Sequence, residues 1–469
     1  MTIRNRHAYI VGNFNLIVHR HDLKFVVLIV ATISSFLTPF MGSATNIALP
    51  PIGREFKTDA IILGWIATSY LLAAGMFSVP FGRIADIKGR KKVFIAGLFV
   101  YSIGSFLSGI APSAELLIVF RVIQGIGGAM IFATGVALIT SVFPPSERGK
   151  AIGINTGSVY VGLSVGPILG GFLTQNFGWR SVFLINVPLG LIALALASWK
   201  LKEEWAEAKG EKFDFLGSVI YSLTLFLIIY GLTESSIALI GGLILLLAFI
   251  LYESKINYPV LEVTLFRRNT IFSLSCLAAL LNYAATYAVG FILSLYLQYI
   301  KGFNPQQAGA ILIAQPVLMA MFAPIAGWLS DRVEPRVVAS AGMAVTTLSL
   351  LIFSWIDSTT PLEVIVTNLM LLGFGLGIFT SPNTNAIMSS VEKKFLGIAS
   401  ATVATMRLIG QILSMALVMF VFSIVMGRVE ITPEYYPLLI KSAKIAFSIF
   451  TALCFVGIFS SLGRGKLRS

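Results

Sequence analysis

An all-α membrane protein with fourteen spans is the fold class this chain predicts, and three observations carry that expectation. Of its 469 residues, 57% are apolar and only 12% charged, against roughly 45–50% and about 25% for a soluble protein. The apolar residues gather in runs long enough to cross a bilayer, which takes roughly 20 residues at 1.5 Å rise each. None of the runs alternates in polarity as the strands of a membrane barrel do, so the spans are helices. A soluble enzyme, a disulfide scaffold and a disordered chain are excluded.

The runs fall at about 24–50, 59–81, 93–111, 115–142, 151–174 and 181–199, then 215–233 and 236–253. Six more lie near 271–297, 306–330, 337–356, 363–389, 397–426 and 444–462. Charges separate them in an alternating way. Arg54 and Lys57 follow the first run, the Arg83–Lys92 cluster the second, and Arg148 with Lys150 the fourth. Arg180 precedes the sixth, and Lys200, Lys202, Lys209 and Lys212 follow it. Lys255, Arg267 and Arg268 precede the ninth, and Lys301 follows it. Arg332 and Arg336 follow the tenth, Lys393 and Lys394 the twelfth, and Arg428, Lys441 and Lys444 the thirteenth. With both ends inside, about 25 of the 34 basic residues fall in inner segments, as the bias of short loops requires. Both termini are therefore expected in the cytoplasm, with the protein in a cell membrane. The net charge of +13 marks a face beside anionic lipid, and nucleic acid is not an expected partner.

The segments expected are a tail at 1–23, a six-helix bundle at 24–199, an extra helix pair with its flanking loops at 200–270, a second bundle at 271–462 and a tail at 463–469. The run from Phe25 is too long for the apolar region of a signal peptide and reads as a retained span. Cys276 and Cys454 lie inside apolar runs, and His7, His19 and His21 lie in the first tail. Neither set has a metal-ligand spacing, so neither metal nor cofactor is expected.

Residues 82–92 read Gly-Arg-Ile-Ala-Asp-Ile-Lys-Gly-Arg-Lys-Lys, and residues 327–336 read Gly-Trp-Leu-Ser-Asp-Arg-Val-Glu-Pro-Arg. A Gly-x-x-x-Asp with basic residues, recurring at matching span ends, indicates an internal duplication, and duplicated halves around a central site are a transporter architecture. At this point the chain resembles the major facilitator superfamily, in particular its fourteen-helix drug:proton antiporter branch. The likeness runs from about residue 40 to 426. It rests on Gly82, Asp86, Gly89 and Arg90, on Arg121, Gln124, Gly125 and Gly127, and on Gly162, Gly166, Pro167, Gly170 and Gly171. Trp179-Arg180…Phe183…Asn186…Pro188…Gly190 extends it, and Asp214…Gly217 and Pro259…Leu265-Phe266-Arg267 flank the extra helix pair. The resemblance implies the major facilitator fold, two six-helix bundles plus two extra central helices. It also implies an alternating-access transporter, with efflux of small amphipathic molecules as its direction and substrate class.

Gly162, Gly166 and Gly170 repeat every four residues and line one helix face, where small residues let membrane helices approach closely. Pro167 beside them removes a helix hydrogen bond. The stripe reads either as a sliding face with a hinge or as packing alone. Asp86 is expected near the start of a neighbouring helix, pairing with Arg90 in a latch on the cytoplasmic side. Gly327, Asp331 and Arg332 are its second copy, and Gly373, Gly375, Gly377 and Pro382 could match the glycine stripe in the second half.

Arg121 and Arg407 are the charges deep in spans, and an ionisable group there is functional by default. The branch's first-span motif carries Asp where this chain has Met41, so three readings of coupling stay open. Protons act through Asp86 with Arg121 tuning its surroundings, coupling is absent, or the arginines bind an anionic or zwitterionic substrate. A structural alternative has each arginine bonded to carbonyls and to Gln124 or Gln411. Asn46, Gln124, Asn155, Tyr160, Asn282, Tyr283, Gln315, Asn383 and Gln411 are candidates for the cavity wall. The extra helices are expected to face lipid. The expected partners are a small-molecule substrate, the bilayer and, as a candidate coupling ion, protons, with the monomer as the working unit. A receptor on the same fold is a second class. A membrane enzyme would need paired carboxylates or a histidine–metal site, and a channel a charged ring.

Overall fold

The computed structural model describes residues 3–256, 259–261, 263–392 and 396–465, with side chains from residue 23 onward except those of Pro145, Val263 and Thr264. The side chains of Arg4, Arg6, His7, His19, Arg20 and His21, and residues Lys393, Lys394, Lys466 and Arg468, lie outside what is described.

Fourteen helices among the described residues are long and apolar enough to cross a membrane. They are α1 (Leu23–Phe56), α2 (Ala60–Lys88), α3 (Arg90–Gly109), α4 (Ala114–Val142), α5 (Ser146–Phe177) and α6 (Arg180–Lys200). Then come α7 (Phe215–Thr233) and α8 (Ser236–Glu253). The last six are α9 (Thr270–Ile300), α10 (Pro305–Ser330), α11 (Pro335–Phe353), α12 (Leu362–Ser389), α13 (Leu396–Val425) and α14 (Pro433–Gly463). α1 continues a helix that begins at Ile3. An even number of crossings leaves the start of α1 and the end of α14 on one face, here termed the termini face.

Local chemistry sets where the helices begin. Asp59, Ser113, Asp214 and Asn269 each accept a backbone N–H from the first turn of α2, α4, α7 and α9. Asn304 and Gln307 form a reciprocal capping box at the start of α10. Such side chains satisfy donors that a helix start leaves open. Gly89, at φ 120°, turns the chain sharply between α2 and α3.

The packing repeats between halves. In the first, α1 lies on α5, α2 and α3 lie on α4, and α3 lies on α6. In the second, α9 lies on α13, α10 and α11 lie on α12, and α11 lies on α14. The duplication read from the two loop motifs is therefore present in three dimensions. Gly162, Gly166 and Gly170 face α1: added Cβ atoms would lie 3.1 Å from Pro39, 3.1 Å from the Phe40 carbonyl and 2.8 Å from Ala44. Gly373 and Gly377 face α10, and Gly375 faces α11, so this second run packs within its own half.

The expectation that both extra helices face outward holds for α8, where Ile237, Ile244, Leu247 and Leu251 are exposed. α7 likewise exposes Leu216, Leu223 and Phe226, while its other face packs on α2 and α13. The reason for that packing is a proline. Pro80 has no N–H for the Met76 carbonyl one turn earlier, and Ser222 Oγ of α7 donates to that carbonyl at 2.9 Å. Tyr221 Oη donates to the neighbouring Gly75 carbonyl at 3.1 Å.

Candidate functional site

One helix face records how the halves meet. Pro167 and Gly171 of α5 abut Gly309 and Pro305 of α10. Gly153 and Gly157 sit fourteen residues earlier, close to four turns and hence on the same face. A Cβ added to either meets nothing within 4 Å. α5 and α10 thus touch near the opposite face and part towards the termini face. The α2–α13 seam is closed over a longer stretch, with Gly64 and Thr68 against Met419 and Gly75 against Ile412. The structure is a wedge, open towards the termini face.

Two adjacent prolines build the seal at the closed end. Pro50 and Pro51 cannot donate to the carbonyls of Asn46 and Ile47, one turn earlier in α1. An unsatisfied backbone group inside a bilayer costs several kcal/mol. The second half supplies the missing donors. Ser294 Oγ donates to the Asn46 carbonyl at 2.5 Å, and Gln298 Nε2 to the Ile47 carbonyl at 3.0 Å. Tyr299 Oη donates to the Pro50 carbonyl at 3.1 Å, and Arg54 donates back to the Gln298 carbonyl at 3.1 Å. Gln298 and Tyr299 lie in a π-helical turn, Tyr296–Ile300, a distortion common at functional sites. The sequence marks Arg54 only as a loop charge and gives no sign of Ser294, Gln298 or Tyr299; the Pro-Pro step is the available signal.

At the apex of the wedge lies Arg407 of α13, half-buried, its guanidinium 5.1 Å from the centre of the Phe132 ring. It has no carboxylate or hydrogen-bond partner among the described residues. Tyr160 of α5 lies near both Arg407 and Tyr283 of α9. Arg407, Phe132, Tyr160 and Tyr283 therefore cluster where the two halves meet, an aromatic group around one unpaired cation. Gln411, one turn from Arg407, and Gln315 of α10 are also half-buried.

Arg121 is placed differently. It is 1% exposed, donates to the Ile66 carbonyl at 3.2 Å and to Gln124 Oε1 at 2.6 Å, and lies 4.6 Å from the Tyr70 ring centre. Gln124 in turn donates to Ser105 Oγ at 2.7 Å. Neutral groups surround this cation, most of them from the first half, with Tyr287 of α9 nearby. Met41, where the branch carries Asp, is buried in the same half and its Sδ receives the Asn186 amide at 3.3 Å.

Asn282, beside Tyr283, is fully buried with both amide atoms unpartnered among the described residues, and so is Asn155 Oδ1. Asn46 is half-buried and enters the seal through its carbonyl. Asn383 sits apart from the cluster, donating to the Ser275 carbonyl at 3.0 Å and accepting from Arg464 at 2.7 Å. Arg464, within the segment expected as the second tail, is buried just beyond α14, and its burial pulls the guanidinium down to about 10.

On the termini face, Arg90 joins Asp86 at 2.8 Å and Glu207 at 2.7 Å. Glu204 accepts the Lys91 amide at 2.9 Å, the Ala208 amide donates to the Asp86 carbonyl at 2.9 Å, and Arg83 pairs with Glu211. The polar segment after α6 is thus strapped across the α2–α3 turn. Gly82 lies in α2, about two helical turns before this point, against Ala133 of α4. In the second copy, Asp331 accepts from Asn385 at 3.2 Å and Arg332 stacks on Trp328 at 3.9 Å; Gly327 faces Ser381.

The Major Facilitator Superfamily model matches residues 31–267 and 275–465. Riboflavin transporter RibZ of Clostridioides difficile (strain 630) is 30% identical over 439 residues, 93% of this chain and 96% of that protein. Cephamycin export protein CmcT of Amycolatopsis lactamdurans is 31% identical, covering 84% of each chain. Multidrug resistance protein Stp of Mycobacterium tuberculosis (strain ATCC 25618 / H37Rv) is 28% identical over 84% of this chain and 75% of its own. Among solved structures, a bacterial homolog of the human lysosomal transporter Spinster, in an inward-facing and unoccupied conformation, superposes with a TM-score of 0.70. It is 16% identical and covers 95% of this chain and 97% of that one. With the duplicated bundles, the wedge and these likenesses together, the chain belongs to the Major Facilitator Superfamily and is a multi-pass membrane transporter.

Proposed function

We propose that this transporter exports small amphipathic compounds by alternating access, coupled to protons, from a cell membrane with both termini in the cytoplasm. The observation that carries the reading is the cluster at the apex of the wedge. Phe132, Tyr160 and Tyr283 offer ring faces to a planar apolar body, and Arg407 offers an unpaired positive charge. Aromatic faces bind flat apolar groups with little sequence of polar contacts required. A lone guanidinium favours a carboxylate, phosphate or other anionic end. The relatives named for multidrug resistance and export support the outward direction.

A second reading follows from Arg407 itself: the substrates are anionic or zwitterionic metabolites, and their own charge takes the place of a carboxylate at position 41. Flux into proteoliposomes separates the readings. A panel of planar anions, zwitterions and cations should show saturable transport, driven by an imposed proton gradient. Arg407→Ala should reduce anion transport about tenfold or more, matching the loss of one charge-assisted hydrogen bond of about 1.5–3 kcal/mol. Normal anion flux in that variant would remove Arg407 from substrate binding. Saturable flux insensitive to the proton gradient would leave an uncoupled facilitator, and absence of flux for any compound a receptor.

A further inference from the structure

The base of the extra helix pair holds two carboxyl groups that the Arg407 cluster does not use. Asp214 caps α7, and its Oδ1 accepts from the Gly217 amide at 2.9 Å and from Tyr252 Oη at 3.1 Å. Glu253 is the last residue of α8, is 2% exposed, and its Oε2 accepts from the Leu261 amide at 3.1 Å. The remaining oxygens, Asp214 Oδ2 and Glu253 Oε1, are both buried and both without a hydrogen-bond partner among the described residues. They converge on one spot, since a Cβ on Gly217 would collide with each of them.

An ionised carboxylate is an acceptor only. Two such oxygens facing each other out of water repel, and paired carboxyls in this arrangement share one proton instead. We propose that Asp214 and Glu253 hold a single proton between them, making the base of the α7–α8 pair a proton-binding site. The helix ends decide where it resides. Asp214 stands at the N-terminus of α7, where the helix dipole favours negative charge, and Glu253 at the C-terminus of α8, where it opposes it. Glu253 Oε1 therefore carries the proton and donates to Asp214 Oδ2, while Glu253 Oε2 stays a carbonyl acceptor for Leu261. Among the described residues, the other groups bearing on Glu253 are Tyr252 of its own helix and the amides of Val260 and Leu261. α2 meets α7 farther along, through the neutral Tyr221 and Ser222. The site stands on this geometry alone and does not depend on the exporter reading.

The test is infrared difference spectroscopy of the full-length protein in lipid nanodiscs, stepped through pH, beside thermal unfolding. The wild type should show a protonated-carboxyl band at neutral pH that bleaches as pH rises, with a parallel fall in unfolding temperature. The sign follows because the folded state then binds more protons than the unfolded one, so stability falls with rising pH. Glu253→Gln keeps a donor towards Asp214. It should retain the neutral-pH unfolding temperature and lose both the band and the alkaline fall. Asp214→Asn should also lose the band, because an amide donor lets Glu253 ionise. A band that survives Asp214→Asn would mean an isolated buried acid and overturn the shared proton. So would a wild type without the band whose unfolding temperature rises saturably with sodium, which would mean a cation between the carboxylates. If neither variant folds, a wild type without the band at neutral pH overturns the shared proton by itself.

Discussion

Gln298→Leu should tilt the protein away from the wedge seen here. Gln298 is 2% exposed, and its Nε2 is the donor that satisfies the Ile47 carbonyl freed by Pro51. Leucine keeps most of the bulk and withdraws the donor. While the seal is closed the Ile47 carbonyl is then buried without a partner, at about 1–3 kcal/mol. Once the seal opens, water reaches that carbonyl and the penalty vanishes. The penalty therefore falls on one state, and the equilibrium between states shifts by roughly 5- to 150-fold. Ser294 still donates to Asn46, so the seal is weakened and not abolished. Spin labels at Phe177→Cys and Gln306→Cys, both exposed and one in each half, read the separation at the closed end. The native cysteines, Cys276 and Cys454, are buried. In Gln298→Leu a longer-distance population should appear or grow. An unchanged distance distribution in a folded variant would refute the proposal that the proline-freed carbonyls hold the seal.

Further outcomes follow from the same contacts. Asp86→Asn should lower transport while membrane levels stay normal, since the partly exposed Asp86–Arg90 pair contributes at most about 1 kcal/mol to folding. Normal flux with normal surface quantity would end the latch hypothesis. Gly166→Ala should lower the unfolding temperature by overpacking α5 on α1, at about 1–3 kcal/mol. Gly157→Ala, inside the same helix and facing open space, should leave it unchanged or raise it, and the reverse order would contradict the assigned packing.

Much of the architecture could be read before the structure because bilayer thickness fixes span length and the basic loops fix alternation. The Gly162–Gly166–Gly170 stripe was likewise readable as one face, although a sequence does not say which helix that face meets. The seal was not readable, because its donors come from residues about 250 positions away and only the orphaned carbonyls have a local signature, the Pro50-Pro51 step. Pro80 and Ser222 repeat the lesson: a proline announces a free carbonyl, and the fold alone names the donor. Glu253 and Arg464 stand at span ends with no local signature of burial, since burial there depends on the neighbours that fold over it. Arg121 and Arg407 were equal in sequence and differ in surroundings, one enclosed by Gln124 and Tyr70, the other open to the wedge.

One-sided labelling of Tyr160→Cys in sealed membranes addresses alternation at the Arg407 cluster most directly. An impermeant thiol reagent should react from the termini face in this variant, and from the opposite face once Gln298→Leu is added. Reaction confined to the termini face in both proteins, or absent from both faces, would contradict a single site exposed to each side in turn.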